Sequence, residues 1–133
     1  MDEGLVVAVD PGREKAGIAV CSRERGTIAK CVVPAADCVS RVYQLAVEHG
    51  ARVVVVGDRT GSTLMVEALS DRRDLVVAVV DEHRSSMEAR ERYLRDHPGR
   101  GLARLLPNGL RTPSEPYDDY VAEILAARYF EQV

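Results

Sequence analysis

Three stretches of the chain are apolar at every consecutive position: residues 5–9, 53–56 and 75–80. Unbroken, β-branched runs of this length predict strands buried on both faces, as in a parallel sheet covered by helices. Each run stops at a turn-forming or acidic group: Asp10-Pro11-Gly12, Gly57-Asp58 and Asp81-Glu82. Residues 17–21 and 27–33 follow the first run closely, across a charged turn at 22–26, and predict antiparallel hairpins. The period then changes. Over 37–50, Val39, Val42, Tyr43 and Ala46 fall on one helical stripe, and Gly50 is a C-terminal stop. A shorter helix is predicted over 62–70. Ser85-Ser86-Met87-Glu88 has the form of a capping box, with Ser85 as N-cap and Glu88 reaching back, at the head of a helix to about residue 96. Three prolines and three glycines make 97–113 a loop. The last predicted helix spans 115–131. Tyr117, Tyr120, Val121, Ile124, Leu125 and Arg128 repeat there at helical spacing, with the Arg128 head able to snorkel.

The order β-β-β-α-β-α-β-α-α joins a hairpin meander to parallel crossover units. It predicts one α/β domain over 1–133, built on a mixed five-stranded sheet with helices on both faces. A chain of 133 residues, 46% apolar and 29% charged, can fill one core, and nothing in it suggests disorder. No apolar run approaches the roughly 18–20 residues of a membrane span. The N-terminus lacks a basic segment followed by an apolar one, so neither a membrane partner nor a signal peptide is expected. Cys21, Cys31 and Cys38 are odd in number and form no Cys-x-x-Cys pair. They are expected to be small core residues in a reducing cytoplasm.

Charge changes the picture locally. The net charge of −3 gives no general support for nucleic-acid binding. Between Arg84 and Arg111, however, seven arginines stand against Glu88, Glu91 and Asp96, a local charge of +4. This segment suits phosphate contact, or is a solvated helix face followed by a polar loop.

The acids fall in a pattern. In open α/β sheets, ligands bind beyond the carboxyl ends of parallel strands. Asp10, Asp58 and Asp81-Glu82 each follow a predicted buried strand, and Asp118-Asp119 lies near the start of the last helix. Taken singly, each could be a turn former or a helix-end charge. Together they would repel one another without a cation, and an oxygen-rich set selects hard ions such as Mg²⁺ or Mn²⁺. Two such ions could activate water and stabilise the leaving oxygen in phosphodiester cleavage.

The segment from Val9-Asp10-Pro11-Gly12 to Gly17-Ile18-Ala19-Val20 resembles the opening of the YqgF/RuvX family and of RuvC-like resolvases. Asp81-Glu82-His83-Arg84-Ser85-Ser86-Met87-Glu88-Ala89 resembles the YqgF motif of Asp-Glu-Arg, then Ser/Thr, then Glu-Ala. Asp118 to Ala122 is similar to that family's last helix. The resemblance implies an RNase H-like fold and a metal-dependent nuclease. The family is regarded as processing the precursor of small-subunit ribosomal RNA, and has also been named a Holliday junction resolvase. By position, Asp10, Glu82 (or Asp81) and Asp118 would be the metal-binding, catalytic acids. Gly12 and Gly17 would let the backbone turn closely at the site, and Lys15 would contact phosphate. Arg84, Arg100, Arg104 and Arg111 would grip the nucleic-acid backbone. His83 stands where the family has Arg, and is a helper in proton transfer or an exposed helix-start residue. The family's Gly-Leu-Pro after the second buried strand is Gly57-Asp58-Arg59 here. RuvC-like resolvases carry a catalytic acid near the end of that strand. If that strand lies beside the first, Asp58 is the acid nearest Asp10, and would add to or replace the acid from Asp81-Glu82.

These expectations define a Mg²⁺- or Mn²⁺-dependent endonuclease acting on structured RNA or branched DNA, as a monomer or a homodimer. A binding module that keeps the fold without the chemistry is the second reading. An actin-like nucleotide-binding domain is the third, and the chain is too short for its two lobes and shows no second phosphate loop.

Overall fold

The computed structural model of the chain describes residues 4–58, 62–70, 74–82, 85–96 and 118–132. The predicted loop at 97–113, Tyr117, His83, Arg84, Arg100, Arg104 and Arg111 lie outside the described residues, as do the side chains of Ser85 and Asp118.

Five strands form one sheet: β1 (Leu5–Asp10), β2 (Lys15–Ser22), β3 (Gly26–Pro34), β4 (Val53–Gly57) and β5 (Val76–Val80). Their order is β3-β2-β1-β4-β5. β2 pairs antiparallel with both β1 and β3, whereas β1–β4 and β4–β5 are parallel. This is the mixed sheet expected from the short hairpin turns and the longer helical crossovers. On β3 the ladder slips: Val20 faces Ala29, but Cys21 faces Thr27. Ile28 is the extra residue of a bulge.

The helices are α1 (Cys38–His49), α2 (Ser62–Ser70), α3 (Ser85–Asp96) and α4 (Asp118–Gln132). A single 3-10 turn, Ala35–Asp37, leads into α1. Gly50, in left-handed conformation at φ 70°, ends α1, and its N–H reaches the carbonyls of Ala46 and Val47. The two faces of the sheet carry separate cores. Val7, Val9, Ile18, Val54 and Val56 pack with Val42 and Ala46 of α1 and Met65 and Leu69 of α2. Val6, Ala8, Ala19, Val55 and Val80 pack with Ala89, Tyr93 and Leu94 of α3 and with Tyr120, Val121, Ile124 and Leu125 of α4. Strand alternation sorts odd-numbered residues of β1 to one face and even-numbered ones to the other.

Two expectations change. Residues 75–80 read as a strand buried on both faces, yet in β5 only Val80 is buried, and Val76 and Val79 are 61% and 52% exposed. β5 ends the sheet, so it has one strand neighbour where β1 and β4 have two. An apolar run states that a strand is extended and water-averse, not how many partners it has. The last helix read as a one-sided stripe, yet Ala122 and Ala126 are also buried. The small side chains let α4 lie close across the sheet while its flank meets α3. There Tyr93 and Tyr120 stack edge to face, their centroids 5.6 Å apart.

The cysteines meet their expectation as core residues. All are free thiols, Cys21 and Cys38 buried and Cys31 partly so. Burial pushes Cys21 and Cys38 up to about 11, so neither is a thiolate near neutral pH.

Truncating a filled core position costs transfer and cavity energy, whereas an exposed edge position costs little. Leu125→Ala is expected to lose about 2–5 kcal/mol in urea unfolding. Val79→Ala is expected to lose under about 1 kcal/mol, since its side chain is half in water.

Candidate functional site

β1, β4 and β5 run parallel and deliver their acids at one edge. Val9 pairs with Val56, and Gly57 with Val80. Asp10, Gly57 and Val80 therefore stand side by side across three neighbouring strands. Alternation puts all three on the face covered by α3 and α4, because Ala8, Val55 and Val80 belong to that core.

Glu82 lies two residues beyond Val80 and shares its parity. It is a rarity in the core, a charged residue only 1% exposed. Its side chain folds back over Gly57. A Cβ placed on Gly57 would overlap the Glu82 carboxyl group and Cγ. A glycine is thus required at the end of β4 by close approach, not by backbone conformation. Asp10 is level with Gly57 on the neighbouring strand, and Glu82 covers Gly57 from beyond the end of β5. By strand alternation Asp10 belongs to the same face.

The other acids are placed differently. Asp58 follows Gly57, so alternation turns it away from Glu82's side chain. It is exposed, and its Oδ1 accepts a 3.1 Å hydrogen bond from the Glu82 N–H. β4 does lie beside β1, as the conditional reading of Asp58 required. Asp81 is exposed, and its carbonyl accepts a 2.8 Å bond from Arg128 Nη1. Asp118 opens α4. Asp119 is part-buried, and desolvation raises its carboxyl pKa although the Lys30 charge opposes this.

Around these acids, Gly12 has its own close contact. A Cβ there would press on the Lys15 carbonyl, so the loop from Asp10 to Lys15 closes tightly only with glycine. Arg13 on that loop and Lys15 at the start of β2 are exposed. Of the arginines between 84 and 111, Arg90, Arg92 and Arg95 are described, on α3. Arg92 Nη1 lies 3.7 Å from Glu123. Glu123 also accepts from Lys30 Nζ at 2.7 Å and Thr27 Oγ1 at 2.8 Å. The Glu88 carboxylate, predicted to close a capping box, takes Arg128 Nη2 at 3.0 Å.

Gly57 was not legible as a site residue. The only trace is that a glycine ends an otherwise all-valine strand. Among the described residues, no three Asp, Glu, His or Cys side chains close into a cage ready for a metal. The donors at this edge are nonetheless all carboxylate oxygens, the chemistry of a hard divalent ion. The cradle at Gly57 leaves room for them that a side chain would fill. In donor chemistry, carboxylate oxygens suit such an ion.

No protein-family model matches the chain, and no curated protein sequence matches it. Solved structures do. The RuvC of Thermus thermophilus superposes with a TM-score of 0.61 at 16% identity, over 96% of both chains. T. thermophilus RuvC in complex with a Holliday junction substrate gives 0.60 at 18%, over 96% of this chain and 95% of that one. The large terminase nuclease of the thermophilic phage G20c, with bound zinc, gives 0.56 at 17%, over 96% and 80%. The fold is RNase H-like.

If Gly57 exists to admit Glu82, their substitutions must couple. Gly57→Ala alone is expected to destabilise by about 1–3 kcal/mol through overpacking. The same change should cost much less in a Glu82→Ala background. Equal costs in the two backgrounds, measured as a double-mutant cycle by denaturant unfolding, would contradict the contact.

Proposed function

We propose that the chain is a divalent-metal-dependent endonuclease that hydrolyses phosphodiester bonds in structured nucleic acid. The observation that carries this reading is the Glu82 carboxyl group buried over Gly57, one strand away from Asp10 at the end of β1. The likeness in fold to RuvC and to a terminase nuclease supports it. Fold alone does not fix activity, so the acids bear the argument.

Asp10, Glu82 and Asp118 would hold Mg²⁺ or Mn²⁺, with Asp81 at the rim. When bound, such ions supply Lewis-acid activation of water and neutralise charge developing on the phosphate. The chain's own part is to orient carboxylates on rigid strand ends and to exclude bulk water from Glu82. Placing carboxylates close together raises the cost of keeping all of them charged, and that cost favours taking up a cation. Lys15, the exposed first residue of β2, would meet a phosphate of the bound strand. Arg84, Arg100, Arg104 and Arg111 would extend that grip along the backbone.

The substrate follows from the resemblance to the YqgF/RuvX family, which points to precursor ribosomal RNA. Branched DNA is the second substrate class, favoured by the RuvC neighbour that is bound to a Holliday junction. The two share the same phosphate chemistry, and the protein would act in the cytoplasm.

Wild-type protein with Mn²⁺ is expected to cleave one of these substrates. Asp10→Asn and Glu82→Gln should each lower the rate by at least about 100-fold, the typical scale for losing a positioned charged group. Undiminished cleavage by either variant would refute the assignment. Binding should weaken steeply as salt rises, and replacing Arg100, Arg104 and Arg111 by Gln should flatten that slope by up to about 3. A slope unchanged by those replacements would remove the arginines from the interface.

A further inference from the structure

We propose that Asp58 is a positioning residue that fixes the Glu82 backbone, and that it acts without ligating metal. The inference rests on the reading of Glu82 as a metal-holding acid. It turns on a single contact, the 3.1 Å bond from Glu82 N–H to Asp58 Oδ1, which joins residues 24 apart in sequence.

The β4–β5 ladder has its last pair at Gly57 and Val80. Beyond it the two strands leave the ladder, and side chains take over at the exit of β5: Arg128 Nη1 donates to the Asp81 carbonyl, and Asp58 Oδ1 accepts from the Glu82 N–H. Asp58 is the first residue after β4, and its side-chain oxygen supplies an acceptor where the ladder stops. The main chain at 82 is thereby tied to the end of β4. Gly57 acts on the same residue from the other side, since its missing Cβ seats the Glu82 carboxyl group. Two consecutive residues therefore set Glu82, one its side chain and the other its backbone. Alternation explains how neighbours can do both. Gly57 is on the α3–α4 face with Glu82's side chain, and Asp58 points off it. For the same reason Asp58 does not share the face of Asp10.

A ligand and a clamp differ in what they need. A ligand needs the negative charge, because charge holds a divalent ion. A clamp needs only an acceptor oxygen, which asparagine supplies at the same place as aspartate. Partners that hydrogen-bond to a metal ligand and orient it typically contribute about 10–100-fold in metal affinity.

The test is Mn²⁺ titration calorimetry on the full chain as wild type, Asp58→Asn, Asp58→Ala and Asp10→Asn. Exchange of the Glu82 amide proton is followed by NMR in the same proteins, without metal. Asp58→Asn is expected to keep Mn²⁺ affinity near wild type and to keep the Glu82 amide protected. Asp58→Ala is expected to lose that protection and to bind Mn²⁺ about 10–100-fold more weakly. If Asp58→Asn binds as poorly as Asp58→Ala, the charge matters and the clamp is overturned in favour of a ligand. If the Glu82 amide in Asp58→Ala stays as protected as in wild type, the clamp is overturned outright. Failure of the metal-site reading has its own signature: wild type takes up no Mn²⁺, or Asp10→Asn takes it up equally well. In that case amide exchange alone still decides whether Asp58 holds residue 82. Thermal unfolding of both Asp58 variants confirms that they are compared in the folded state.

Discussion

β1 is held between an antiparallel neighbour and a parallel one, with helices over both of its faces. Val6, Val7, Ala8 and Val9 are completely buried as a result. No polar side chain can sit in that strand until it reaches the sheet edge, and the first residue to do so is Asp10. The same constraint makes the address of Asp10 rigid. Its backbone is fixed by pairing to Gly17 on one side, and the register to β4 is fixed one residue earlier, at Val56. Sliding β1 by one residue would put Asp10 on the opposite face and every valine in the wrong core. The packing of ten or so apolar side chains thereby positions one carboxylate.

The second face depends on how α4 is anchored. Glu123 is 11% exposed and takes donors from Thr27, Lys30 and Arg92, while Lys30 also lies 3.4 Å above the Tyr120 ring. Burial draws the Lys30 pKa down, but Glu123 and Tyr120 outweigh it and the net shift is upward. The lysine is held as a cation. Isolated surface pairs contribute about 0–1 kcal/mol. Here one sheltered carboxylate serves strand β3 and helix α3 together, so it sets the direction of α4 as well as adding stability. At the far end, Arg128 spans the Asp81 carbonyl and Glu88, tying α4 to the exit of β5 and the start of α3. The acidic edge is framed by elements that cannot shift independently.

Much of this was legible in the chain. The apolar runs at 5–9 and 53–56 predicted buried strands because burial on two faces leaves no polar position. The helical stripe over 37–50 and its terminal Gly50 were read from period and stop signal alone. What escaped were facts about partners. The valines of β5 look like those of β4, yet only one strand has two neighbours. Arg128 looked like a snorkelling side chain, and its head is instead spent on the Asp81 carbonyl and on Glu88. Glu123, Lys30 and Thr27 carry no motif, since a cluster assembled from one strand and two helices has no spacing in sequence. For the site, the position of each acid after a strand was visible, but its direction was not. Direction depends on parity relative to a core that exists only once both faces are covered.

That parity also bears on the departure at the end of β4. The resolvase pattern places an acid on this strand, and here the position on the α3–α4 face is Gly57. The two arrangements exclude each other. Any side chain at 57 begins with a Cβ, and a Cβ there would lie inside the space taken by the Glu82 carboxyl group. With these backbones, a carboxylate on this face comes from position 57 or from Glu82, but not from both. Supplying it from β5 demands that β4 withdraw its side chain entirely, which only glycine does. It also lengthens the reach, because Glu82 sits two residues past the last paired residue of its strand and must fold back. A longer reach from beyond the strand ladder needs its backbone tied. Asp58 is the first residue after β4, and the Glu82 amide is the group that it holds.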